Sequence, residues 1–584
     1  MNILIDEISE IVKNAFEELG YERESGKVNV SNRPDLCQYQ CNGALANAKK
    51  HKKAPMIIAQ EVVEKLNTNA IFSKLEIAAP GFINININDE FLVDYINKMK
   101  KDDNLGVSKA TDVKKIIVDY GGANVAKPLH IGHLRSAIIG ESIKRIAKFL
   151  GHDVIGDVHL GDWGLQMGMV ISEVERRNPS LPYFDEDFTG EYPTEAPFTI
   201  DELEDIYPYA SKLAKSDEKV MEAAKQATVE LQQGRRGYIA LWKHILNVSI
   251  ADLKKNYAAL DVDFELWNGE SDAQKLIPEM IEYLKENGYA EESEGALVFD
   301  VSEEADKSPI PPLLLLKSDG ASLYGTTDLA TVLERVRDLK ADELIYLADK
   351  RQGLHYEQFF RAAKKSGIAN ENIVLDFIGF GTMNGKDGKP FKTREGGVMR
   401  LADLINIIKE AGKDKLKDNK NVEEENADEI ASKVGLAALK YGDLSNQASK
   451  DYIFDIDRFA SFEGNTGPYI LYTIVRIKSI LNKANKTELG NILEPQSDGE
   501  RKLMLQLAKF NEVIELSFRE RAPHKICEFI YELSNNFNKF YNDTRILAEE
   551  DEAKKDSWLS LIHLVQCTLE KGLDLLGMES VEKM

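Results

Sequence analysis

The stretch Lys114–Gly122, KKIIVDYGG, joins a short apolar run to two glycines and decides the fold of the central part of the chain. A helical pattern follows it, and His152–Gly164, HDVIGDVHLGDWG, is a second strand pattern that ends in glycine. A strand, a helix and a strand at this spacing predict a parallel βαβ unit and an α/β fold. Ligands of such folds gather at the carboxyl ends of the strands, so we expect the active site near residues 119–135.

The sheet of this region is predicted to be split in the sequence. Between about residues 172 and 290, an acidic, proline-bearing loop and long helical stretches predict a largely helical insertion. We therefore expect a Rossmann-like nucleotide-binding domain with a parallel sheet over residues 109–440. The strand patterns that resume after the insertion are ALVFD at Ala296–Asp300, ELIYLAD at Glu343–Asp349 and NIVLDFIGF at Asn372–Phe380.

The two flanks of this domain have different patterns. Residues 1–108 alternate helical patterns with short strands such as Phe82–Asn88, FINININ, whose isoleucines fall on one face, and they predict a small α+β module. The segment Lys409–Glu429 has almost no apolar content and is predicted to be a solvated linker or an exposed helix. The patterns after it are helical, so we expect an all-α bundle over residues 441–584.

Charge limits the classes of function. The chain has 584 residues and 98 acidic against 74 basic side chains, a formal net charge of −24. This charge argues against a protein that holds nucleic acid by bulk electrostatics, so any such contact must use local basic patches. The clearest patch is the run KKHKK, which contains Lys49, Lys50, Lys52 and Lys53. Such a run is either a group of solvated surface charges or a contact for RNA.

Hydropathy and cysteine content predict a cytoplasmic protein without membrane contact. No apolar run approaches the roughly 18 residues that a membrane helix needs. Met1–Phe16 carries acids inside its apolar pattern and is predicted to be an amphipathic helix of the mature protein. The cysteines are too few and too scattered for a disulfide framework or a zinc site, so we expect buried side chains and no zinc; they are Cys37, Cys41, Cys527 and Cys567.

A helix is predicted directly after the first strand. In Ala123–His133, ANVAKPLHIGH, Pro128 stands where a helix begins, because the first turn needs no N–H from it. Apolar residues then recur at helical spacing up to Leu150, and Gly151 is a suitable terminator. The first turn therefore lies at the carboxyl end of the strand.

Two histidines lie in this first turn, on one face and three residues apart. The helix N-terminus offers free N–H groups and positive dipole, and Gly132 between His130 and His133 lets a flat base or ribose approach the backbone. Histidines that only cap or pack, and a metal site, are the alternatives, but the pair has no third ligand nearby in the sequence. We expect the two imidazoles to bind phosphate.

His130-Ile-Gly-His133 also spells the HIGH signature of class I aminoacyl-tRNA synthetases, and its context, NVAKPLHIGHLRSAIIGES, resembles the arginyl-tRNA synthetases. Other segments resemble the same family along the whole chain, in the same order. They are Ala79–Ile85, His159–Gly168, Tyr346–Phe360, Gly385–Gly397, Phe462–Ile477 and Pro523–Leu547.

The resemblance implies an arginine–tRNA ligase that forms arginyl-adenylate and pyrophosphate from arginine and ATP, and then transfers arginine to the 3′-terminal ribose of tRNA(Arg). It implies that tRNA is needed for the first step and that ATP is used with Mg²⁺. It also implies that the protein is a monomer and needs no protein partner. The catalytic residues implied are His130, His133, Lys392 in the mobile loop FKTRE, and Lys127, which compensates for a missing second lysine of that loop. The ATP site implied adds Gly132, Gly161 and Asp162.

The arginine site implied contains carboxylates, which suit the fork geometry of a guanidinium group. By resemblance, Asp119 and Asp328 fill this role, and Tyr324 lies one helical turn before Asp328. Asn124, Gln352 and His130 match family positions that hold the polar groups of the substrate.

The tRNA contacts implied lie in the flanks. Residues 1–108 resemble the N-terminal domain that grips the outer corner of the tRNA, and residues 441–584 resemble the anticodon-binding domain, where the candidates are Tyr469, Arg476, Asn538 and Tyr541. Two other functions compete with this one: nucleotidyl transfer by a small H-x-G-H adenylyltransferase, and a non-catalytic synthetase-like protein. The small adenylyltransferases are single short domains, and non-catalytic synthetase-like proteins usually lose a signature residue.

Overall fold

The N-terminal module is α+β. The computed structural model describes residues 1–318, 320–389, 391, 399–416, 427–486 and 488–584. The sheet of the N-terminal module is antiparallel, with strand order β1-β2-β4-β3. Ile83, Ile85 and Ile87 of β4 are fully buried against the helices, as their alternation predicted. The elements are α1 (Leu4–Glu18), β1 (Val28–Val30), β2 (Tyr39–Cys41), α2 (Gly43–His51), α3 (Pro55–Leu66), β3 (Phe72–Ala78), β4 (Phe82–Ile87) and α4 (Asp89–Lys101).

The predicted βαβ unit follows this module. Two parallel strands are joined by a long helix that ends before Gly151, whose φ is 91°, in the left-handed region that glycine tolerates. The helix begins at Ile131, so the prediction that it begins at Pro128 is wrong by one turn. The elements are β5 (Lys115–Asp119), α5 (Ile131–Phe149), β6 (Asp153–Asp157) and α6 (Leu165–Arg177).

Helices dominate the segment after α6. The first of them starts at a capping box, in which Thr199 Oγ1 accepts from the Glu202 N–H at 3.3 Å and the Glu202 carboxylate accepts from the Thr199 N–H at 2.7 Å. The helices are α7 (Ile200–Ser216), α8 (Glu218–Gln232), α9 (Arg236–Ala258), the one-turn α10 (Glu270–Ala273) and α11 (Ile277–Glu286).

A separate antiparallel sheet comes next, with order β7-β8-β9. The expectation that Ala296–Asp300 returns to the parallel sheet is therefore wrong. The reason is local: Glu294 and Gly295 adopt φ angles of 51° and 81°, which form a two-residue hairpin turn and pair neighbouring strands antiparallel. The strands are β7 (Ala290–Ser293), β8 (Ala296–Phe299) and β9 (Leu313–Leu316).

The parallel sheet is completed after this hairpin, which confirms that its strands are split in the sequence. Its order is β11-β10-β5-β6. The chain runs from β5 to β6 on one side and later crosses to β10 on the other side of β5, which creates a switch point between β5 and β10. In register, Asp119 of β5 lies between Tyr346 of β10 and Asp157 of β6. The added elements are α12 (Tyr324–Arg337), β10 (Glu343–Asp349), the 3₁₀ turn Lys350–Gln352, α13 (Gly353–Lys365) and β11 (Val374–Phe380).

The C-terminal part is helical, as predicted, apart from a two-residue parallel pair. Helix α14 covers the first part of the polar segment Lys409–Glu429, and residues 417–426 of that segment lie outside the described residues. The elements are β12 (Met383–Asn384), α14 (Leu401–Leu416), α15 (Ala427–Leu444), β13 (Tyr452–Ile453), α16 (Ile456–Phe459), α17 (Gly467–Ala484), α18 (Asp498–Leu507), α19 (Phe510–Arg519), α20 (His524–Asp543) and α21 (Glu552–Leu575).

Polar contacts join the N-terminal module to this helical part. Arg501 of α18 donates to Asp89 at 2.6 Å, and Asn97 of α4 donates to the Ile492 carbonyl at 2.8 Å. Among the residues that the structure describes, none of the helices is long and apolar enough to cross a membrane.

Candidate active site

The carboxyl ends of the parallel strands open into a cavity of about 810 Å³, which we call the central cavity. It lies at the switch point of the sheet, where ligands of such folds bind. The structure brings most of the sequence-predicted residues together in its wall: Asp119, Asn124, His130, Gly132, His133, Gly161, Tyr324, Asp328 and Gln352.

The histidine pair is held by the backbone of its own turn. His130 is the N-cap of α5: its Nδ1 accepts from the Gly132 N–H at 3.0 Å, while Nδ1 of His133 accepts from the His130 N–H at 3.1 Å. An accepting Nδ1 fixes the neutral ring with its proton on Nε2. Burial lowers the pKa of His130, and it lowers the pKa of His133 to about 3, so both rings are neutral donors near pH 7.

Two glycines keep this arrangement free of side chains. A Cβ on Gly132 would lie 2.7 Å from Cε1 of His130, so glycine is needed for the capping imidazole itself. A Cβ on Gly161 would lie 2.3 Å from Oδ1 of Asn124, and the two residues pair as a parallel bridge. Gly161 therefore makes room for Asn124 at the cavity wall.

Three other predicted ATP-site residues are placed differently. The Lys127 ammonium lies 4.5 Å from the centre of the Tyr207 ring and outside the cavity wall, although its charge helps to lower the pKa of both histidines. Asp162 is buried away from the wall and accepts from the N–H and hydroxyl of Ser271 at 3.0 and 2.6 Å, so it anchors the start of α10. Lys392 lies outside the described residues.

One acidic group of the cavity is Asp328, on the second turn of α12. Its Oδ2 lies 2.5 Å from Nε2 of His355, which fixes the carboxylate from the side of α13. Tyr324, one turn earlier, lines the cavity and is 68% exposed. The two side chains are therefore available on the same face of the helix.

A second acidic group, Glu270, was missed by the sequence analysis. Its backbone N–H donates to the Leu160 carbonyl at 3.0 Å, which docks α10 on the loop after β6 and brings its side chain to the cavity. Burial raises the pKa of Glu270 to about 7. The sequence around it gave no sign of this role, because the position depends on a contact across about a hundred residues.

A third acidic group, Asp119, already has a cationic partner. Nη2 of Arg335, from the last turn of α12, donates to Oδ2 of Asp119 at 2.6 Å and to Oδ2 of Asp157 at 2.7 Å. The Asp119 side chain is 14% exposed and lines the cavity, whereas those of Arg335 and Asp157 are 2% exposed and lie behind it. Burial raises the pKa of Asp119, and the Arg335 charge opposes this shift.

Comparisons with known proteins cover the chain from end to end. The model of class I tRNA synthetases (R), catalytic domain, matches residues 95–456, the arginyl-tRNA synthetase N-terminal domain matches residues 2–87, and the DALR anticodon-binding domain matches residues 470–584. An arginine–tRNA ligase of Alkaliphilus oremlandii is 62% identical over 587 residues, and the alignment covers 100% of both chains. The chain belongs to the arginyl-tRNA synthetase family.

Further relatives agree with this family. An arginine–tRNA ligase of Agathobacter rectalis is 58% identical, with 100% of both chains covered. The crystal structure of the arginyl-tRNA synthetase of Plasmodium falciparum superposes with a TM-score of 0.82 at 25% identity, again over 100% of both chains. The resemblance seen in the sequence is therefore confirmed: the chain is a class I arginine–tRNA ligase that uses ATP. A short nucleotidyltransferase and a non-catalytic relative are no longer alternatives.

The tRNA candidates of the synthetase's helical part gather on one surface between α17 and α20. Asn538 donates to the Tyr469 hydroxyl at 3.0 Å and accepts from Arg476 at 2.5 Å. The Arg476 guanidinium also lies 4.8 Å from the ring centre of Tyr472, which the sequence analysis missed, and 5.4 Å from that of Tyr541. We call these five residues the tyrosine–arginine patch.

The basic run of the N-terminal module is divided. Lys49, Lys50 and Lys52 are exposed at the end of α2. Lys53 is tied to its own module, because its ammonium pairs with Glu61 at 2.8 Å and donates to the Tyr21 hydroxyl at 3.0 Å. In this synthetase, Lys49, Lys50 and Lys52 are therefore freer to contact a phosphate backbone than Lys53 is.

Proposed function

We propose that arginyl-adenylate forms in the central cavity, with arginine at the acidic side and the ATP phosphates at the two histidines. The observation that carries this proposal is that one cavity is lined both by neutral imidazole donors and by the carboxylates of Asp119, Glu270 and Asp328. These groups complement the two substrates, because arginine brings two cationic groups and ATP brings phosphates.

The guanidinium group of arginine is assigned to the side of the cavity formed by α10 and α12. Asp328 and Glu270 supply carboxylate oxygens there, and the exposed Tyr324 offers a ring face and a hydroxyl beside them. His355, which also lines the cavity, holds Oδ2 of Asp328 through its Nε2, so the carboxylate is oriented before arginine arrives.

The ammonium group of arginine is assigned to Asp119 at the end of β5 and to the amide oxygen of Asn124 in the loop that follows it. Asp119 suits an ammonium better than a second guanidinium because Arg335 already occupies its Oδ2. Gln352, the N-cap of α13 and a further residue of the cavity wall, is assigned to the remaining polar atoms of the amino acid. This arrangement directs the arginine carboxylate toward the histidines.

Activation then needs positioning and charge stabilisation more than proton transfer. A carboxylate oxygen of arginine attacks the α-phosphorus of ATP, the bond to the bridging oxygen breaks, and pyrophosphate leaves with that electron pair. The Nε2–H groups of His130 and His133 donate to phosphate oxygens whose charge grows in this step, and neutral rings do so without a change of protonation. Lys127 and Lys392 add positive charge, and magnesium enters as part of the MgATP substrate.

The flanks are assigned to tRNA(Arg). Residues 441–584 would read the anticodon side through the tyrosine–arginine patch, and residues 1–108 would hold the outer corner of the tRNA, with Lys49, Lys50 and Lys52 on phosphates. Residues 109–440, with the insertion at about 172–290, would be the catalytic domain. We also propose that the enzyme works in the cytoplasm as a monomer without an obligate protein partner.

ATP–pyrophosphate exchange tests this proposal. Exchange is measured with a panel of amino acids, with and without tRNA(Arg), on the wild-type chain and on the double variant Asp328→Asn/Glu270→Gln. We expect exchange that depends on arginine and tRNA in the wild type, and a raised arginine KM with little change of the ATP KM in the variant. An equal change of both constants would remove the two acids from the guanidinium site.

A further inference from the structure

Arg335 places one arginine side chain of the protein directly behind the wall of the central cavity, to which we assign the substrate arginine. Its Nη2 bridges Asp119 and Asp157, which face each other in register at the ends of β5 and β6. The ring of Tyr346, the register neighbour of Asp119 on the other side, lies 5.2 Å from the centre of the guanidinium. This site, built from three neighbouring strands, therefore already binds a guanidinium group.

The substrate carries two cationic groups, and both suit carboxylates. Without Arg335, the Asp119–Asp157 pair would offer two carboxylates to a guanidinium, as the Asp328 and Glu270 side of the cavity does. Arginine could then enter in either direction, and its reversed form would place its carboxylate away from the histidines. An enzyme for this substrate needs a means to choose one direction.

We propose that Arg335 sets the direction of bound arginine by occupying the guanidinium site at Asp119 and Asp157, so that Asp119 is left to accept the substrate ammonium. The proposal rests on the assignment of Asp119 to arginine made above. Arg335 touches no reacting atom: it acts through Asp119, whose Oδ2 it holds, while no described residue donates to Oδ1 of Asp119. Arg335 is thus a positioning residue for specificity.

The sequence position of Arg335 fits this role. It lies seven residues, or two turns, after Asp328 on the same helix, so α12 carries the proposed guanidinium ligand near one end and the resident guanidinium near the other. The helix therefore fixes the two ends of the substrate relative to each other. A displacement of either end would change the orientation of arginine as well as its affinity.

Arg335→Ala tests the proposal by emptying the resident site. Aminoacylation is measured with added methylguanidinium, and Arg337→Ala is the matched control, because Arg337 lies on the same helix but pairs at the surface with Asp338 at 2.8 Å. In the wild type and the control we expect inhibition that is competitive with arginine. In Arg335→Ala we expect methylguanidinium first to stimulate and then to inhibit, while sodium chloride does neither.

A second variant covers the case in which Arg335→Ala does not fold. Arg335→Met/Asp157→Asn removes one buried charge of each sign and keeps similar volumes, which is tolerated better than an unpaired charge. We expect kcat at saturating arginine to fall in this variant, because Oδ2 of Asp119 is then free and arginine bound in reverse occupies the same site without reacting. We expect kcat/KM for arginine to fall roughly tenfold through the loss of an oriented charged hydrogen bond, with the ATP KM within about twofold of the wild type. A kcat at saturating arginine like that of Arg337→Ala in the double variant would overturn the proposal. So would the absence of stimulation by methylguanidinium in a folded Arg335→Ala.

Asp119→Asn separates this inference from the assignment on which it rests. A raised arginine KM in Asp119→Asn, together with control-like behaviour of both Arg335 variants, overturns the directional role and leaves the proposed arginine site intact. An unchanged arginine KM in Asp119→Asn overturns the ammonium assignment itself, and the directional role with it.

Discussion

The histidine side and the acidic side of the central cavity are built in different ways. His130 and His133 are held within one turn of α5 by hydrogen bonds to the backbone of residues 130 and 132. The acidic side is assembled from β5, α10 and α12. Side chains from other elements, Arg335 and His355, fix the carboxylates of Asp119 and Asp328. One side is thus fixed locally and stays neutral, while the other depends on long-range contacts and is charged.

This difference predicts that mutations on the histidine side change the rate, whereas mutations on the acidic side change the affinity for arginine. Donors to developing phosphate charge act mainly in the transition state, and carboxylates that hold a cationic substrate act already in the ground state. Four predictions test the comparison, in order of decreasing expected effect.

The largest effect is expected for His133→Ala. Loss of one Nε2–H donor to the phosphates should lower kcat for ATP–pyrophosphate exchange by roughly 10²- to 10³-fold, with the arginine KM nearly unchanged. His244→Ala is the control, since His244 lies in the insertion, 3.0 Å from the Pro193 carbonyl and away from the cavity wall. A kcat close to that of the control would show that the capped histidine pair is only structural.

Asp328→Asn should have the next largest effect, on the other kinetic constant. The loss of a charged partner of the guanidinium should raise the arginine KM by roughly ten- to a hundredfold, because hydrogen bonds to charged groups contribute about 1.5–3 kcal/mol. Glu357→Gln, an exposed acid that pairs with Arg361 at 2.7 Å on α13, is the control. A fall of kcat with a constant arginine KM would contradict the division of labour between the two sides.

The local side of the cavity was largely predictable from the sequence, and the long-range side was not. His130, Gly132 and His133 show a histidine pair, a glycine and a helix start within four residues, and the structure adds that Gly132 also spares the capping ring. The start of the helix was misplaced because Pro128 is allowed in a first turn, but the capping box of His130 and His133 decides it.

Glu270 and Arg335 had weak signals or none. Glu270 lies in an insertion, on a one-turn helix whose position depends on Leu160 and on Asp162, and no local pattern records those contacts. Arg335 had one usable signal, a basic residue two turns after Asp328 on the same helix face, but its partners Asp119 and Asp157 come from two strands far away in the sequence.

The fold could be predicted where strand and helix periods were clear. The β7–β8 hairpin was misassigned because a short apolar run does not specify the strand with which it pairs.

A moderate effect of pH is expected on the acidic side. The pKa of Glu270 is raised to about 7, first by burial and then by the charges of Asp162 and Asp328, while His159 opposes the shift. The carboxylate binds a guanidinium in its ionised form, so arginine affinity should fall as the pH falls through 7. Between pH 8 and pH 6 the ionised fraction of one such group falls about tenfold, which sets the upper limit of the change in kcat/KM for arginine.

Glu270→Gln gives the matched comparison for this pH effect. The amide has nearly the same shape and no titration, so the ratio of wild type to variant in kcat/KM for arginine should rise with pH, while the titration of ATP cancels. A ratio that is constant from pH 6 to pH 8 would show that Glu270 does not meet the guanidinium in its charged form.

The smallest effect is expected outside the cavity, at the tyrosine–arginine patch. Arg476 is already held by Asn538 and lies near the rings of Tyr472 and Tyr541, so Arg476→Ala removes a prearranged cation from an otherwise intact surface. A cation–π contact at an exposed site contributes about 0.5–1 kcal/mol, which corresponds to an increase of about fivefold or less in the tRNA KM for aminoacylation. The arginine KM, measured at saturating tRNA, should not change, and Arg337→Ala should change neither constant. Because the patch and the central cavity are built from different elements, a changed arginine KM in Arg476→Ala would mean that the helical part transmits tRNA binding to the acidic side, which is the side that depends on long-range contacts.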